Sequence, residues 1–441
     1  GFKFVLTLAG ARFELYEAVT QAEIRELHDQ DLPIYSILLP VYKEPEVIET
    51  LIYALSQLDY PKDKFIVVLA GEERDKERFL RISDEIVKKY GDKFFKLLIS
   101  LHPKNLLAEI PGKGSNTNWA GHQVKRLIDE LKIPYENIIV SCFDIDTCVH
   151  PKYFSYLTYR YLTVPNPTRT SFQPVAVFNN NIWDSPALTR VVARGTTFWL
   201  LTELSKPQLY FTFSSHSMSF KALVEVGFWP KDVVSEDSRI FLICLNHYSG
   251  DYKVVPLYIS VSMDTVYCGS FWRTLVNQYK QMLRWGYGVE NVPWMLWNFF
   301  KNKKMPWLKK WPPFWTQYEG SCSWATVPII ILILGYLPIW VARQRNIQEG
   351  IVLNAPFILE WLMTIAMIGL FLSAIFSTIL LPPRPAKHKP YKYLFMILQW
   401  LLFPLTMLIF GAIPATEAVT RLMLGKYLGF RVTEKRRDPR G

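Results

Sequence analysis

The chain has 441 residues, of which half are hydrophobic and 20% are charged, and this composition is apolar for a soluble enzyme. The apolar excess lies almost wholly after Ser321, which indicates two regions that face different solvents. The net charge of +11 does not indicate a nucleic-acid-binding protein, because the basic residues cluster beside apolar runs, as they do at the cytosolic flanks of membrane segments.

The five cysteines are odd in number and form no C-x-x-C spacing, which argues against a disulfide framework and against a zinc site. Reduced cytosolic thiols are the simpler interpretation. Residues 1–30 begin inside an apolar stretch. We expect them to form an interfacial segment, or the end of an upstream transmembrane helix in a truncated chain.

Between Ile34 and about Ser260, short β-rich runs alternate with amphipathic helical patterns, such as residues 47–58 and 118–131. The predicted strands are residues 35–39, 65–69, 95–101, 138–143, 172–178, 210–214 and 254–260. This alternation predicts an α/β fold with a mainly parallel, doubly wound sheet. Such sheets bind ligands beyond the carboxyl ends of their strands, so the residues after each strand are the candidates for chemistry.

Polar residues follow the first two predicted strands. Tyr42 and Glu44 come after the first strand, where an aromatic ring and a carboxylate can hold a nucleobase. Glu72 and Glu73 come after the second strand and offer acceptors to a ribose or a base edge. Each pair is also typical of a solvated turn.

Two features surround the fourth predicted strand. Gly112-Lys113-Gly114 predicts a flexible loop with one mobile cation, which suits a phosphate group. Asp144 and Asp146 directly follow the apolar strand, so both carboxylates can turn toward one Mg²⁺ or Mn²⁺ ion. A second Asp-x-Asp, at residues 29–31, precedes the sheet in a polar stretch, and this position argues against a metal site there.

A histidine and an acidic pair lie later in the α/β region. His216 is a candidate for an acceptor pocket, and equally a candidate for a structural histidine. Glu236 and Asp237 precede a helical run, where acidic side chains also suit the helix dipole. The functional interpretation is that Asp237 acts as a general base for an attacking hydroxyl.

A helix predicted over residues 272–290 carries Gln281, Arg284 and Trp285. Gln281 and Arg284 lie one turn apart on one face. Arg284 can bind phosphate oxygens, and Trp285 can stack on a sugar ring. The same side chains are also typical of a membrane interface, as is the Trp- and Lys-rich stretch 293–315 that follows.

Three charge-free runs, residues 321–342, 361–381 and 393–416, each reach the ~20 residues that cross a bilayer. Buried helices of a soluble protein are the alternative. If the α/β region and the basic loop 384–392 are cytosolic, three full spans place the basic tail outside. Pro404 and Pro414 allow a second topology, because they can break the last run into a re-entrant or interfacial element and so return the tail to the cytosol.

In this order, the motifs resemble those of membrane-embedded family-2 glycosyltransferases, similar to bacterial cellulose and hyaluronan synthases. The resemblance covers about residues 32–285. It rests on four matches. Residues 40–44 match the nucleotide-binding start of the family, and Asp144 and Asp146 match its metal-binding Asp-x-Asp. Glu236-Asp237 matches the Thr-Glu-Asp motif, and Gln281, Arg284 and Trp285 match Gln-x-x-Arg-Trp. The chain departs from the pattern at Ser235, at Glu72-Glu73 in place of an Asp pair, and at residues 214–216 in place of a Cys-Gly-Ser type.

The resemblance implies a GT-A fold, a nucleoside-diphosphate sugar donor such as a UDP-sugar, a Mg²⁺ or Mn²⁺ cofactor, and inversion at the anomeric carbon. It implies that Tyr42 and Glu44 hold the base and that Lys113 and Arg284 bind the diphosphate, and Glu72, Glu73 and Asp144 are further candidates for donor binding. Asp237 is then the base with Glu236 beside it. Trp285 borders the acceptor, for which His216 and Gln281 are further candidates.

We therefore expect an N-terminal segment (1–30), a GT-A-like domain (31–270), an amphipathic interfacial segment (271–320), a transmembrane region (321–417) and a basic tail (418–441). The expected activity is metal-dependent sugar transfer to a growing glycan or lipid-linked acceptor at the cytosolic face of the plasma membrane, with membrane lipid as a partner and without nucleic acid. The alternatives are single-sugar transfer to a polyprenyl phosphate or lipid, and a non-catalytic scaffold or transporter.

Overall fold

The computed structural model describes residues 32–42, 47–204, 206–334, 337–345 and 350–429. In this part of the chain eight strands form one sheet, in the order β3-β2-β1-β4-β7-β6-β8-β5. Their bounds are Ile34–Pro40 (β1), Phe65–Glu72 (β2), Lys96–His102 (β3), Ile138–Cys142 (β4), Cys148–Val149 (β5), Thr170–Phe178 (β6), Ser217–Ser219 (β7) and Lys253–Met263 (β8).

The first half of the sheet is parallel, since β1 pairs in parallel with β2 and β4, and β2 with β3. Every residue of β2 is buried, as expected for a parallel strand covered on both faces. The second half is mixed, because β7 runs antiparallel to β4 and β6 while β6 and β8 are parallel. The predicted α/β class is confirmed, and the sheet is mixed rather than mainly parallel in its second half.

One predicted strand is wrong. Residues 210–214 form no strand, and β7 lies three residues further on, at Ser217–Ser219. Ser215 has a φ of 65°, which takes the chain out of the extended conformation between the two segments. The Phe213 N–H instead donates to Gln173 Oε1 at 2.7 Å, so a side chain replaces the ladder bond that a strand would make.

Seven helices of the α/β region are described, and the first begins at Ile48, one residue after the start of the stretch predicted at residues 47–58. Their bounds are Ile48–Ser56 (α1), Lys76–Tyr90 (α2), Lys113–Leu131 (α3), Tyr153–Thr163 (α4), Ala187–Glu203 (α5), Phe220–Glu225 (α6) and Glu236–His247 (α7). In α2 the buried residues are Phe79, Ser83, Ile86 and Tyr90, which recur at helical spacing on one face.

The start of α3 corrects a prediction, because Lys113 and Gly114 form its first turn rather than a flexible loop. A Cβ at Gly114 would lie 2.5 Å from the Pro230 carbonyl oxygen and 3.1 Å from Glu236 Cβ. The glycine is therefore needed for close approach of two segments, and not for mobility.

The C-terminal region is helical. Its elements are Phe271–Gly286 (α8), Asn291–Lys301 (α9), Trp307–Leu334 (α10), Leu337–Arg345 (α11), Gly350–Ile379 (α12) and Lys392–Met423 (α13). Among the described residues, α13 is the one helix long and apolar enough to cross a membrane, where the sequence predicted three such runs. Helix α10 also runs without interruption across the domain boundary expected at residue 320.

The two prolines of the last run do not break it. Pro404 follows a 3₁₀ turn at Gln399–Leu402, and Pro414 follows a π turn at Met407–Ala412. These irregular turns accommodate the missing backbone N–H groups, so α13 continues to Met423.

Candidate active site

The carboxyl ends of β1, β2 and β4 meet at one edge of the sheet. Tyr42 follows β1, and its neighbour Val41 donates its N–H to the Ala70 carbonyl of β2 at 2.8 Å. Asn116 of α3 donates to the same carbonyl at 2.7 Å, which ties the helix start to this edge. Glu44, predicted to bind the nucleobase, lies outside the described residues.

Lys113 lies at the centre of the acidic residues that the sequence singled out. Its Nζ is 2.7 Å from Asp144 Oδ1 and 2.9 Å from Asp237 Oδ2. Glu236 Oε1 is 3.8 Å away from the same nitrogen. Residues separated by more than 120 positions are thus brought to one cation, a contact that the sequence analysis did not predict.

Burial and neighbouring charge shift the pKa of Lys113 in opposite directions. Burial alone disfavours its charged form, but the negative charges of Asp144 and Asp237 outweigh burial and hold its pKa above the usual value. Burial and then the charge of Asp237 raise the pKa of Glu236 to about 8. Glu236 is therefore protonated at neutral pH, although it lies beside a lysine.

Asp144 and Asp146 differ in their surroundings. Asp144 Oδ2 accepts a hydrogen bond from Ser214 Oγ at 2.6 Å. Asp146 is 5% exposed, and its Oδ2 accepts the N–H of Asp264 at 3.1 Å. Asn180 donates to the backbone carbonyl of Asp146 at 3.1 Å, so one hydrogen bond holds the backbone of Asp146 and another holds its side chain.

These two carboxylates fit a hard divalent ion that also binds phosphate oxygens, since such ions take one or two protein carboxylates and keep their other positions for substrate and water. In the described part of the chain no cluster of three or more His, Cys, Asp or Glu side chains forms a metal site by itself. The donor set therefore suits an ion that is shared with a diphosphate, rather than one enclosed by protein.

Asp264 was missed by sequence analysis. It directly follows β8, where the rule that chemistry lies after strands would have found it. Because the predicted strand ended at residue 260, three residues before the observed end, the prediction did not place Asp264 directly after a strand.

His216, expected near the acceptor, is fully buried behind Asp237. Its Nδ1 donates to the Phe213 carbonyl at 2.9 Å and lies 3.7 Å from Asp237 Oδ1. Burial lowers its pKa, so the ring is neutral at pH 7. With no exposed surface, His216 lies beside Asp237 and does not reach the open side of the site.

Glu72 and Glu73 contact the loop that follows β3. Glu72 is buried, and its Oε2 lies 3.1 Å from His102 Nδ1, while the other ring nitrogen lies 2.9 Å from Glu109. Glu73 accepts the Lys104 N–H at 2.9 Å. Although burial opposes it, hydrogen bonds and charge from the two glutamates raise the pKa of His102. The two residues predicted to bind the donor thus also hold the loop that leads to Lys113.

Of the Gln-x-x-Arg-Trp residues on α8, the structure links Arg284 to the acidic residues of the site. Gln281 is buried and accepts from Gln278 Nε2 at 3.3 Å. The Trp285 ring packs on Phe178 at the end of β6, with centroids 6.0 Å apart. Arg284 is near enough for its charge to favour the ionised form of Glu236.

A second residue missed by sequence analysis is Glu290, which follows α8 and is 7% exposed. Its Oε1 accepts Ser235 Oγ at 2.6 Å and the N–H groups of Val234 and Ser235 at 3.2 Å. Its Oε2 accepts the Tyr427 hydroxyl at 2.7 Å. Glu290 therefore fixes the turn that carries Glu236 and Asp237 into α7.

A family model described as Glycosyl transferase family group 2 matches residues 139–413, which is more than half of the chain. No curated protein matches the chain.

Among solved structures, the mannosyltransferase PcManGT from Pyrobaculum calidifontis, in complex with GDP-Man and Mn²⁺, is similar with a TM-score of 0.52 and 15% identity, over 96% of this chain and 99% of that one. TarS 1–349 from S. aureus, in complex with UDP-GlcNAc, aligns with a TM-score of 0.42 and 13% identity, over 89% and 93% of the two chains. The first similarity shows that the α/β region has a GT-A-like fold.

Proposed function

The chain belongs to glycosyl transferase family group 2, and we propose that it transfers a sugar with inversion from a nucleoside-diphosphate sugar to a hydroxyl of a growing glycan or lipid-linked acceptor. The observation that carries this proposal is the meeting of Lys113 with Asp144 at 2.7 Å and with Asp237 at 2.9 Å. Asp144 belongs to the diphosphate side of the proposed site and Asp237 to the acceptor side, so both substrates meet at Lys113.

In the proposed reaction Asp237 accepts the proton of the acceptor hydroxyl. The acceptor oxygen attacks the anomeric carbon as the bond to the diphosphate breaks, and the nucleoside diphosphate leaves from the opposite face. Lys113 and Arg284 stabilise the charge on the departing diphosphate. Trp285 borders the sugar, and Tyr42 lies where the base would bind.

Asp144 and Asp146 would hold a Mg²⁺ or Mn²⁺ ion, which when bound supplies positive charge to the diphosphate. The contact of Asp264 N–H with Asp146 at 3.1 Å leaves the oxygens of this turn in a fixed arrangement before the donor arrives. Lys113 holds Asp144 in the absence of the donor. When the donor binds, the Lys113 side chain turns from Asp144 to the phosphates.

We further propose that catalysis takes place at the cytosolic face of the plasma membrane. Aromatic and basic side chains are exposed on α9 and at the start of α10, with Lys301 Nζ 4.0 Å from the ring centroid of Trp297. Such side chains suit the boundary between headgroups and acyl chains. The segment 271–320 would then support the α/β region at the membrane surface and admit a glycan or lipid-linked acceptor.

The test is a donor screen with the full chain in nanodiscs, in which nucleotide release is measured with UDP- and GDP-sugars, with and without EDTA. Asp146→Asn removes one charged ligand, so we expect loss of most metal-dependent release and weaker Mn²⁺ binding in an EPR titration. Release in EDTA at the wild-type rate would contradict the metal assignment, and failure of every donor would contradict the activity. Product length on a chromatogram separates a polymerase from an enzyme that adds a single sugar.

A further inference from the structure

The segment 103–112, which leads from β3 to α3, is exposed over most of its length. Residues 104–108 are all exposed, and Leu107 is 95% exposed. Asn105 and Ala108 both have a φ of 61°. An alanine rarely adopts this left-handed conformation, because its Cβ then crowds the backbone. The conformation of the segment therefore depends on polar contacts with neighbouring elements.

Glu109 makes two of these contacts. Its Oε2 lies 2.9 Å from His102 Nε2, and its Oε1 lies 2.6 Å from Lys231 Nζ. The next residue, Ile110, donates its N–H to the Lys231 carbonyl at 2.8 Å, and its own carbonyl accepts the Ser115 hydroxyl of α3 at 2.6 Å. His102 is thus connected through Glu109 and Ile110 to the first turn of α3.

His102 is buried between two carboxylates. Its Nδ1 lies 3.1 Å from Glu72 Oε2 at the end of β2, and its Nε2 lies 2.9 Å from Glu109 Oε2. An ionised carboxylate only accepts hydrogen bonds, and a neutral imidazole has one N–H to donate. Both contacts are therefore hydrogen bonds when the ring carries a proton on each nitrogen, which is the imidazolium form.

The charges around the ring favour this form. Burial opposes it, but hydrogen bonds and charge from Glu72 and Glu109 hold the pKa of His102 above its usual value. Lys231 balances the second charge on Glu109, and α3 contributes the uncharged ring of Trp119, with centroids 6.0 Å apart. When the pH rises through the pKa of His102, the ring loses one hydrogen bond and the cluster gains a net negative charge.

We propose that His102 is a positioning residue for donor binding, whose imidazolium holds the segment 103–112 on Glu72 and so fixes the start of α3, with Lys113, before the donor arrives. Loss of the proton releases the segment and adds a negative charge on the donor side of the site, where it opposes an anionic ligand. Donor affinity therefore falls as the pH rises. The identity of the ligand as a nucleoside-diphosphate sugar rests on the proposed function.

The effect on kcat is much smaller than the effect on donor affinity. The turn that carries Asp237 is held separately, because Glu290 accepts the N–H groups of Val234 and Ser235. At saturating donor the base is therefore in place whether or not His102 is charged. A general loss of folding would instead reduce turnover at every donor concentration.

The first experiment measures the affinity of the full chain in nanodiscs for UDP-GlcNAc and GDP-Man with Mg²⁺, by calorimetry between about pH 6 and pH 9. For the wild type we expect affinity to fall by about 10-fold as His102 loses its proton. His102→Gln, which remains neutral, should bind weakly at every pH. In Glu109→Gln the fall should move to lower pH, because one of the two carboxylates that favour the imidazolium is lost.

His122→Gln is the matched control, since this exposed histidine also lies on the α3 side and does not contact the cluster. It should keep the pH dependence of the wild type. The same fall in His102→Gln as in the wild type, or a fall at unchanged pH in Glu109→Gln, would overturn the proposal. So would a loss of kcat at saturating donor as large as the loss of affinity.

The second experiment needs no donor. Amide hydrogen exchange at residues 104–116 is expressed as protection, with α2 as the internal control for folding. Protection should fall with rising pH in the wild type, fall at lower pH in Glu109→Gln and be low throughout in His102→Gln. Equal protection of this segment in the wild type and in His102→Gln near pH 6 would overturn the positioning role. If protection follows His102 but neither nucleotide sugar binds, the proposed donor class fails while the positioning of the segment stands.

Discussion

Asp237 presents both carboxylate oxygens to Lys113, at 3.0 and 2.9 Å, and its own carbonyl accepts the Thr212 hydroxyl at 2.5 Å. The backbone of Asp237 is thereby fixed while its side chain faces the site. A general base contributes about 10²–10⁴-fold to a rate. For Asp237→Asn we expect kcat to fall by about that factor, with little change in donor affinity, since the amide keeps the shape but cannot take the proton.

The measurement compares nucleotide binding by calorimetry with turnover in nanodiscs. Glu236→Gln is the matched control. Because Glu236 is buried and already protonated at neutral pH, we expect its amidation to lower kcat much less. Turnover of Asp237→Asn within a few-fold of the wild type would favour the helix-dipole explanation of these acidic residues.

Glu236 has a pH-dependent role that follows from its burial. Its pKa is raised to about 8, so it carries a proton below that pH and gains a negative charge beside Asp237 above it. We expect the turnover of the wild type to change through a limb near pH 8. In Glu236→Gln, which resembles the protonated form at every pH, this limb should be absent. A limb that persists unchanged in the variant would assign the titration to another group.

At the level of elements, the start of α7 depends on Glu290, which comes from the turn after α8. Loss of its carboxylate leaves the N–H groups of Val234 and Ser235 without this acceptor, and a displacement near 1 Å at a catalytic group can reduce a rate by about 10²-fold. We expect Glu290→Ala to lower kcat by about 10- to 100-fold with donor affinity nearly unchanged. Glu290→Gln, which keeps an acceptor oxygen, should lose less.

Tyr427→Phe tests whether the chain after α13 contributes to this support, because it removes only the hydroxyl that donates to Glu290. Tyr279→Phe is its control, since it removes a similar bond between α8 and α13 that does not touch Glu290. Amide hydrogen exchange at residues 234–239 should quicken in Glu290→Ala and Tyr427→Phe but not in Tyr279→Phe. Equal effects of the two tyrosine variants would mean that general packing, and not the Glu290 contact, is responsible.

At the scale of the whole molecule, the exposed lysines near α9 predict selectivity for anionic lipid. Each lysine near an anionic surface contributes about 1 kcal/mol, and salt screens this attraction. The variant Lys303→Gln/Lys304→Gln/Lys309→Gln should therefore lose several-fold in its preference for spin-labelled phosphatidylglycerol over phosphatidylcholine, measured by EPR. The control Lys76→Gln/Lys88→Gln/Lys93→Gln, on the α2 side, should keep it. The same preference in both variants would place the lipid contact elsewhere.

The sequence by itself determined the features that depend on local pattern. Apolar runs such as Phe65–Glu72 form strands because both faces of a parallel strand are covered, and Asp144 and Asp146 follow β4 because the end of such a strand is where the chain leaves the core. The order of the motifs also predicted one site that contains Lys113, Asp144 and Asp237, but not the direct contacts of Lys113 with the two carboxylates. The α/β class and the family follow from the same signals.

Only the tertiary structure decided the features that depend on residues far apart in the chain. Asp264 and Asp146 are 118 positions apart, and Tyr427 and Glu290 are 137 positions apart, so no local spacing links them. The apolar run within α13 has the length and composition of a membrane span. Its position against the α/β domain is determined by polar contacts of the residues that flank it, His388 with Asp184 and Tyr427 with Glu290, and hydropathy does not record which distant partner a residue binds.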